Sequence, residues 1–246
     1  MKNQYVGDIG DYGKYGLLRF LAGKGINIGV NWYLTKDDGS KDGKFKDYLS
    51  KDEFGCYDNE LFKMLKTCKC VKDIERKQII PNAVFFSDTL NTSSAEGRKE
   101  RKAIRDEWHK KAMKKLCTDG ADLIFADPDN GTLNPYTKPS IANGEKYTTL
   151  EELKAYYNEG KDVVYYCHRA RRNDAKWAEK KKELEQVCQG VKIIVLTFHR
   201  GTQRSYIFGI HPERYKNYDK LINEFLKTDW GKTDIEPKKI PLFTKE

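Results

Sequence analysis

Apolar residues recur along this chain in two rhythms, short dense runs and stripes spaced three or four residues apart, and the two alternate. The runs "INIGVNWYL", "AVFFS", "DLIFAD", "DVVYYCH", "VKIIVLTF" and "RSYIFGI" have the β-branched and aromatic content of strands. Leu17, Leu18 and Leu21 mark a helix from about Tyr12 to Ala22, stopped by Gly23 and Gly25. A second helix falls around Asn59–Lys66. Ile104, Trp108, Ala112 and Leu116 form an apolar stripe on a helix from about Ser94 to Leu116 whose other faces are Lys and Arg. "TTLEELKAYYNEG" predicts a helix with a capping box at Thr148 and Glu151 and a stop at Gly160. "RNDAKWAEKKKELEQVCQG" predicts another, and a last helix from Pro212 to Lys227 precedes an irregular tail.

Strands that alternate with helices predict an α/β fold, a mostly parallel sheet flanked by helices. Only "HRGTQ" separates the last two strands, too short for a parallel crossover, so they form an antiparallel hairpin that ends the sheet. No internal repeat or Pro/Ser-rich linker divides the chain, and its 246 residues are read as a single domain, 1–246.

Composition narrows this picture. With 38% hydrophobic and 12% aromatic residues the chain can bury a core and is not a disordered polyelectrolyte. The net charge of +9 concentrates in "GRKERKAIRDEWHKKAMKK" and "HRARRNDAKWAEKKK", which favours a polyanionic partner, most simply nucleic acid, DNA or RNA. The same runs also suit solvated helix faces. No stretch approaches the roughly 20 apolar residues of a membrane span, so no membrane partner is expected. The start "MKNQYVGD" has no apolar core of a signal segment, so the cysteines are expected to be reduced thiols in a cytoplasmic protein. "TCKC" has no second cysteine pair at metal-site spacing, and no zinc site is expected.

Two segments carry more polar chemistry than a turn requires. "FADPDNGT" ends a buried-looking strand with Asp127, Pro128, Asp129 and Asn130. An Asx-rich turn accounts for Asp129, Asn130 and Gly131 but leaves Asp127 unexplained. "GDIGDYGKYG" opens with three glycines within seven residues beside Asp8, Asp11 and Lys14, as in a loop that approaches a ligand before entering a helix; simple capping by Asp8 or Asp11 is the plainer reading. At the hairpin, Arg200, Thr202 and Arg204 suit phosphate contacts, or an ordinary charged turn. His168 and Arg169 end one strand, where His168 is a candidate proton acceptor or phosphate ligand. Ser87 and Asp88 end another.

In element order and in these two motifs the chain resembles the Rossmann-like S-adenosylmethionine-dependent methyltransferases, and within them, distantly, the RlmJ-type ribosomal RNA adenine methyltransferases. Asp127-Pro128 stands where that class has Asp/Asn-Pro-Pro-aromatic, and Gly7, Asp8, Asp11 and Lys14 match a Gly-Asn-x-x-Asp-x-x-Lys spacing with Asp for Asn. The resemblance implies catalysis by Asp127, Pro128, Asp129 and Asn130 on a base amine. It also implies S-adenosylmethionine held near Asp8, Asp11, Lys14 and Tyr15, with Ser87 and Asp88 by the adenosine. The chain departs from the family in three places. "WYLTKDDGSKDG" replaces the Asp-Thr-His-Ala-Gly-x-Gly cofactor loop, Tyr15 replaces a His, and Asp129 and Asn130 replace the second Pro and the aromatic. Two other readings stay open: a nuclease or phosphohydrolase whose Asp8, Asp11, Asp127 and Asp129 converge on Mg2+, and a non-catalytic nucleic-acid-binding module.

Overall fold

The computed structural model describes residues 1–39, 45–133, 144–169, 172–232 and 241–246. Among them lies a mixed seven-stranded sheet with helices on both faces, a Rossmann-like α/β arrangement. The strands are β1 (Ile28–Asn31), β2 (Val84–Phe86), β3 (Leu123–Ala126), β4 (Asp162–His168), β5 (Lys192–Phe198), β6 (Arg204–Ile210) and β7 (Phe243–Lys245). Their spatial order is β2-β1-β3-β4-β6-β5-β7. β2, β1, β3 and β4 run parallel. β6 is inserted antiparallel between β4 and β5, and β7 pairs antiparallel with β5. From β1 the chain moves outward to β2 and then returns to β3 on the opposite side of β1. The order therefore reverses between β1 and β3, the position at which open α/β sheets bind ligands beyond their carboxyl ends.

The helices are α1 (Ile9–Gly23), α2 (Asn59–Leu65), α3 (Val71–Arg76), α4 (Arg98–Thr118), α5 (Leu150–Asn158), α6 (Asp174–Lys181), α7 (Tyr215–Phe225) and α8 (Asp229–Lys232). Successive strand residues point to opposite faces. Leu123 and Phe125 accordingly join one apolar cluster with α1, α2, α3, α7 and α8, while Ile124 and Ala126 join another with α4, α5 and α6.

Several elements differ from expectation for identifiable reasons. α1 begins at Ile9 rather than Tyr12, because the Asp8 carboxylate accepts from the Gly10 amide at 2.7 Å and caps it. Gly10, Gly13 and Gly16 therefore belong to the helix and not to a loop before it. Gly10, Gly13 and Gly16 lie on one face of the helix, where added Cβ atoms would meet Arg204, Phe198 and Trp230. The capping box of α5 is Thr149 with Glu152, one residue later than expected. On α4 the buried position beside Trp108 belongs to Arg105, whose guanidinium grips Glu152 at 2.7 and 2.8 Å, while Ile104 is only half-buried. The long helix expected after Asn173 breaks after Lys181 into a short 3-10 turn, where Lys180 and Glu183 pair in the interior at 2.8 Å. The expected irregular tail contains α8 and β7 instead, held by buried Trp230, Leu242 and Phe243. Parts of the Gly-rich loop (40–44), of the segment after Leu133 (134–143), of the "HRARR" run (170–171) and of the tail (233–240) lie outside the described residues.

Candidate functional site

The carboxyl ends of β3 and β4, the start of β6 and the first turns of α1 border a cavity of about 600 Å³. That volume falls within the range of small-molecule and cofactor sites. Asp127 follows β3 directly, and its amide donates to the Asn31 carbonyl at 2.9 Å, so the main chain there is still tied to β1. Asp11 and Lys14 are three apart on α1 and so share a face. The Lys14 ammonium reaches Asp11 Oδ1 at 2.8 Å and Asp127 Oδ2 at 2.7 Å, and all three side chains are buried. Asp11 Oδ2 also accepts from the Gly7 amide at 3.0 Å. Lys14 engages Asp127 through Oδ2 alone, and no hydrogen bond reaches Oδ1 among the described residues. Burial raises the carboxyl groups of Asp127 and Asp11 above the usual range, against the opposing pull of Lys14. Burial acts to lower the Lys14 ammonium, but Asp11 and Asp127 outweigh it and the net direction is up.

Pro128, Asp129 and Asn130 continue along the cavity wall. The turn is pinned from outside: the Asn130 amide donates to the Lys146 carbonyl at 3.0 Å, and the Gly131 carbonyl accepts from the Thr148 amide at 2.9 Å. Gly131 has φ +86, and a Cβ there would meet Cys167 Sγ at 2.9 Å, so only glycine suits this position. The Met1 amino group donates to the carbonyls of Tyr33 (3.0 Å) and Asp127 (3.1 Å) and lies 2.7 Å from Asp129 Oδ1. This last contact is a close, buried ion pair that gives Asp129 Oδ1 its partner, while no donor reaches Asp129 Oδ2 among the described residues. Tyr33 holds a left-handed φ of 45, unusual for an aromatic residue. Its buried hydroxyl locks it in place, bonded to Glu152 and Thr148.

A second chain of groups crosses the cavity rim. Arg204, on the first residue of β6, donates to Asp8 Oδ1 at 2.6 Å and to the Tyr166 hydroxyl at 3.2 Å. The Tyr166 hydroxyl lies 2.7 Å from His168 Nε2. Burial, reinforced by Arg204, pushes the His168 imidazole down to about 4, so it is neutral near pH 7 and able to accept from Tyr166. His168, Arg204 and Thr202 border the cavity together with Asp8, Asp11, Lys14 and Asp127.

Other sequence candidates sit elsewhere. Tyr15 is buried beneath α1 with its hydroxyl unpartnered and does not border the cavity. Ser87 and Asp88 follow β2 outside the lining, where the Asp88 carbonyl accepts from Trp108 Nε1 at 2.8 Å. Arg169 pairs with Asp174, and Arg200 lies against the hairpin main chain; neither is part of the lining. The cavity also takes in Met1, Lys2, Phe45, Lys146 and Tyr166, which no motif singled out, and Asp38 from the "WYLTKDDGSKDG" stretch. Phe45 carries a sequence signal of its own, as an apolar residue beside a polar, Gly-rich stretch.

The acidic residues meet cations of the chain itself, Lys14 on Asp11 and Asp127, and Arg204 on Asp8. Among the described residues no cluster of three or more His, Cys, Asp or Glu is arranged to hold a metal ion. Likewise among the described residues, no helix is long and apolar enough to cross a membrane.

No family model matches the chain. No curated protein matches it either. Among solved structures, it is similar to the crystal structure of protein LPL1258 from Legionella pneumophila, of family DUF519. The two are 13% identical, with 99% of this chain and 96% of that one covered, at a TM-score of 0.48.

Proposed function

We propose that this chain is a divergent methyltransferase-fold enzyme that modifies an exocyclic base amine of nucleic acid, with S-adenosylmethionine as methyl donor. One observation carries the reading. Asp127 stands at the carboxyl end of β3 beside the reversal of strand order, fixed through Oδ2 by Lys14, with Oδ1 left unbonded in a residue that borders the cavity. The antiparallel insertion of β6 between β4 and β5 agrees with the same reading.

An exocyclic amine is a weak nucleophile because its lone pair is delocalised into the ring. A hydrogen bond from that amine to Asp127 Oδ1 draws electron density back to nitrogen. Burial raises the proton affinity of Asp127 and so strengthens it as an acceptor. Lys14 holds the carboxylate in one orientation, and Pro128 stiffens the main chain beside it. The Asn130 amide oxygen offers a further acceptor. The Asp129 carboxylate on the cavity wall suits a ligand bearing N–H or O–H groups and positive charge, as S-adenosylmethionine does, and Lys146 on the same wall would meet its carboxylate. When bound, that cofactor supplies an electrophilic methyl group.

Calorimetric titration with S-adenosylmethionine should give a saturable heat, and Asp129→Asn should weaken it. Labelled methyl should reach nucleic acid, with kcat reduced on the order of a hundredfold in Asp127→Asn. Absence of heat at millimolar cofactor with folded protein overturns the proposal.

A further inference from the structure

Resting on this reading of the site, we propose that Phe45 is the planar platform on which the target base stacks, supplying from another part of the chain the aromatic surface missing after Asp127-Pro128. Asp129 and Asn130 follow that dipeptide, and neither offers an aromatic face. Phe45 borders the same cavity as Asp127. It is also the one large apolar side chain left exposed among the described residues, at 53%.

That exposure is not the result of a loose main chain. The Phe45 amide donates to Asp8 Oδ2 at 3.1 Å, and its carbonyl accepts from the Ile9 amide at 3.0 Å. Asp8 is in turn held by Arg204 at 2.6 Å. The backbone of Phe45 is thus tied to the capped start of α1, the helix whose Asp11 and Lys14 orient Asp127. Asp8 therefore acts as a bracket, capping α1 with one oxygen and fixing Phe45 with the other. A solvent-facing ring carried on a tethered main chain at the edge of the cavity suits stacking on a flat, uncharged surface. A nucleobase has such a face and a phosphodiester backbone does not, so the ligand at the rim is an unstacked base of single-stranded or locally opened nucleic acid.

The four native tryptophans are all buried, so Phe45→Trp adds an exposed indole at the cavity mouth that iodide and a stacked base can both reach. Oligoadenylate is expected to quench this emission while an abasic oligomer of equal length does not. Phe45→Ala, an exposed change that leaves the melting temperature in place, is expected to weaken oligoadenylate binding by about tenfold or more and bring it to the level of the abasic oligomer. Equal wild-type affinity for both oligomers, or no change in Phe45→Ala, overturns the platform. The two proposals fail separately. Base-dependent binding abolished in Phe45→Ala without any methyl transfer removes the reaction and leaves the platform. Methyl transfer whose substrate KM is unchanged in Phe45→Ala removes the platform and leaves the reaction.

Discussion

Lys14 carries a single positive charge between two buried carboxylates, Asp11 and Asp127, so its removal leaves both without a counter-ion. Lys14→Met should destabilise the fold by roughly 3–5 kcal/mol, the cost of breaking a buried pair from one side. Adding Asp11→Asn and Asp127→Asn should restore part of that stability, as read from urea midpoints. His168 gives a pH test. Its folded-state value of about 4, against an ordinary 6.5, means the unfolded chain takes up a proton that the folded chain does not. The associated stability is complete above about pH 6.5 and is lost as pH falls toward 4. At about 1.4 kcal/mol per pH unit the loss is at most roughly 3 kcal/mol. His168→Gln should remove it, flattening the acid limb relative to wild type. Asp11 and Asp127, with raised values, act in the opposite sense and cancel in that difference. Asp127 and the α1 charges were visible as unusual residues in the sequence. Their junction spans 113 positions and depends on how α1 lies against β3.

At the level of elements, α1 shows how one local pattern serves two purposes. Its leucines build the core, and its glycines let neighbouring side chains approach, Gly13 toward Phe198 and Gly16 toward Trp230. Alanine is the better helix former, so propensity alone predicts that Gly16→Ala stabilises by up to about 1 kcal/mol. The Trp230 ring already occupies the space of that Cβ, so a net destabilisation of roughly 1–3 kcal/mol is expected instead. An unchanged urea m-value with a lower midpoint would identify the effect as overpacking. Helix stripes, the β-rich runs and the closing hairpin were legible because each depends on residues close in sequence. β7 was not: its three residues, Phe243–Lys245, become a strand only because the edge of β5 is there to pair with them.

The whole molecule carries a charge of +9, and much of the exposed share lies on α4. Arg98, Lys99, Lys102, Lys110, Lys111, Lys114 and Lys115 project from it while Trp108, Ala112 and Leu116 anchor the helix. If nucleic acid runs along this face, log affinity should fall linearly with log salt concentration. Replacing Lys110, Lys111 and Lys114 by Gln should then make the slope shallower by about 2–3 for a duplex, near 0.9 for each phosphate no longer neutralised. The weakening should be uniform across sequences, because phosphate contacts position the ligand and do not read bases. A slope unchanged by these substitutions would assign α4 to solvation alone.

The sequence by itself determined what neighbours can determine: the periodicity of helices and strands, the antiparallel hairpin forced by a short connection, and the excess of acidic groups after Phe125. Tertiary structure alone decided the partners of those groups. Lys14 meets Asp127, Arg204 meets Asp8, and Phe45 stands at the rim because β3 and β4 end, and β6 begins, on the side where α1 starts. The physical reason is range. Backbone hydrogen bonding and side-chain periodicity act over a few residues, whereas a buried ion pair between distant segments exists only after sheet order and helix packing have brought them together.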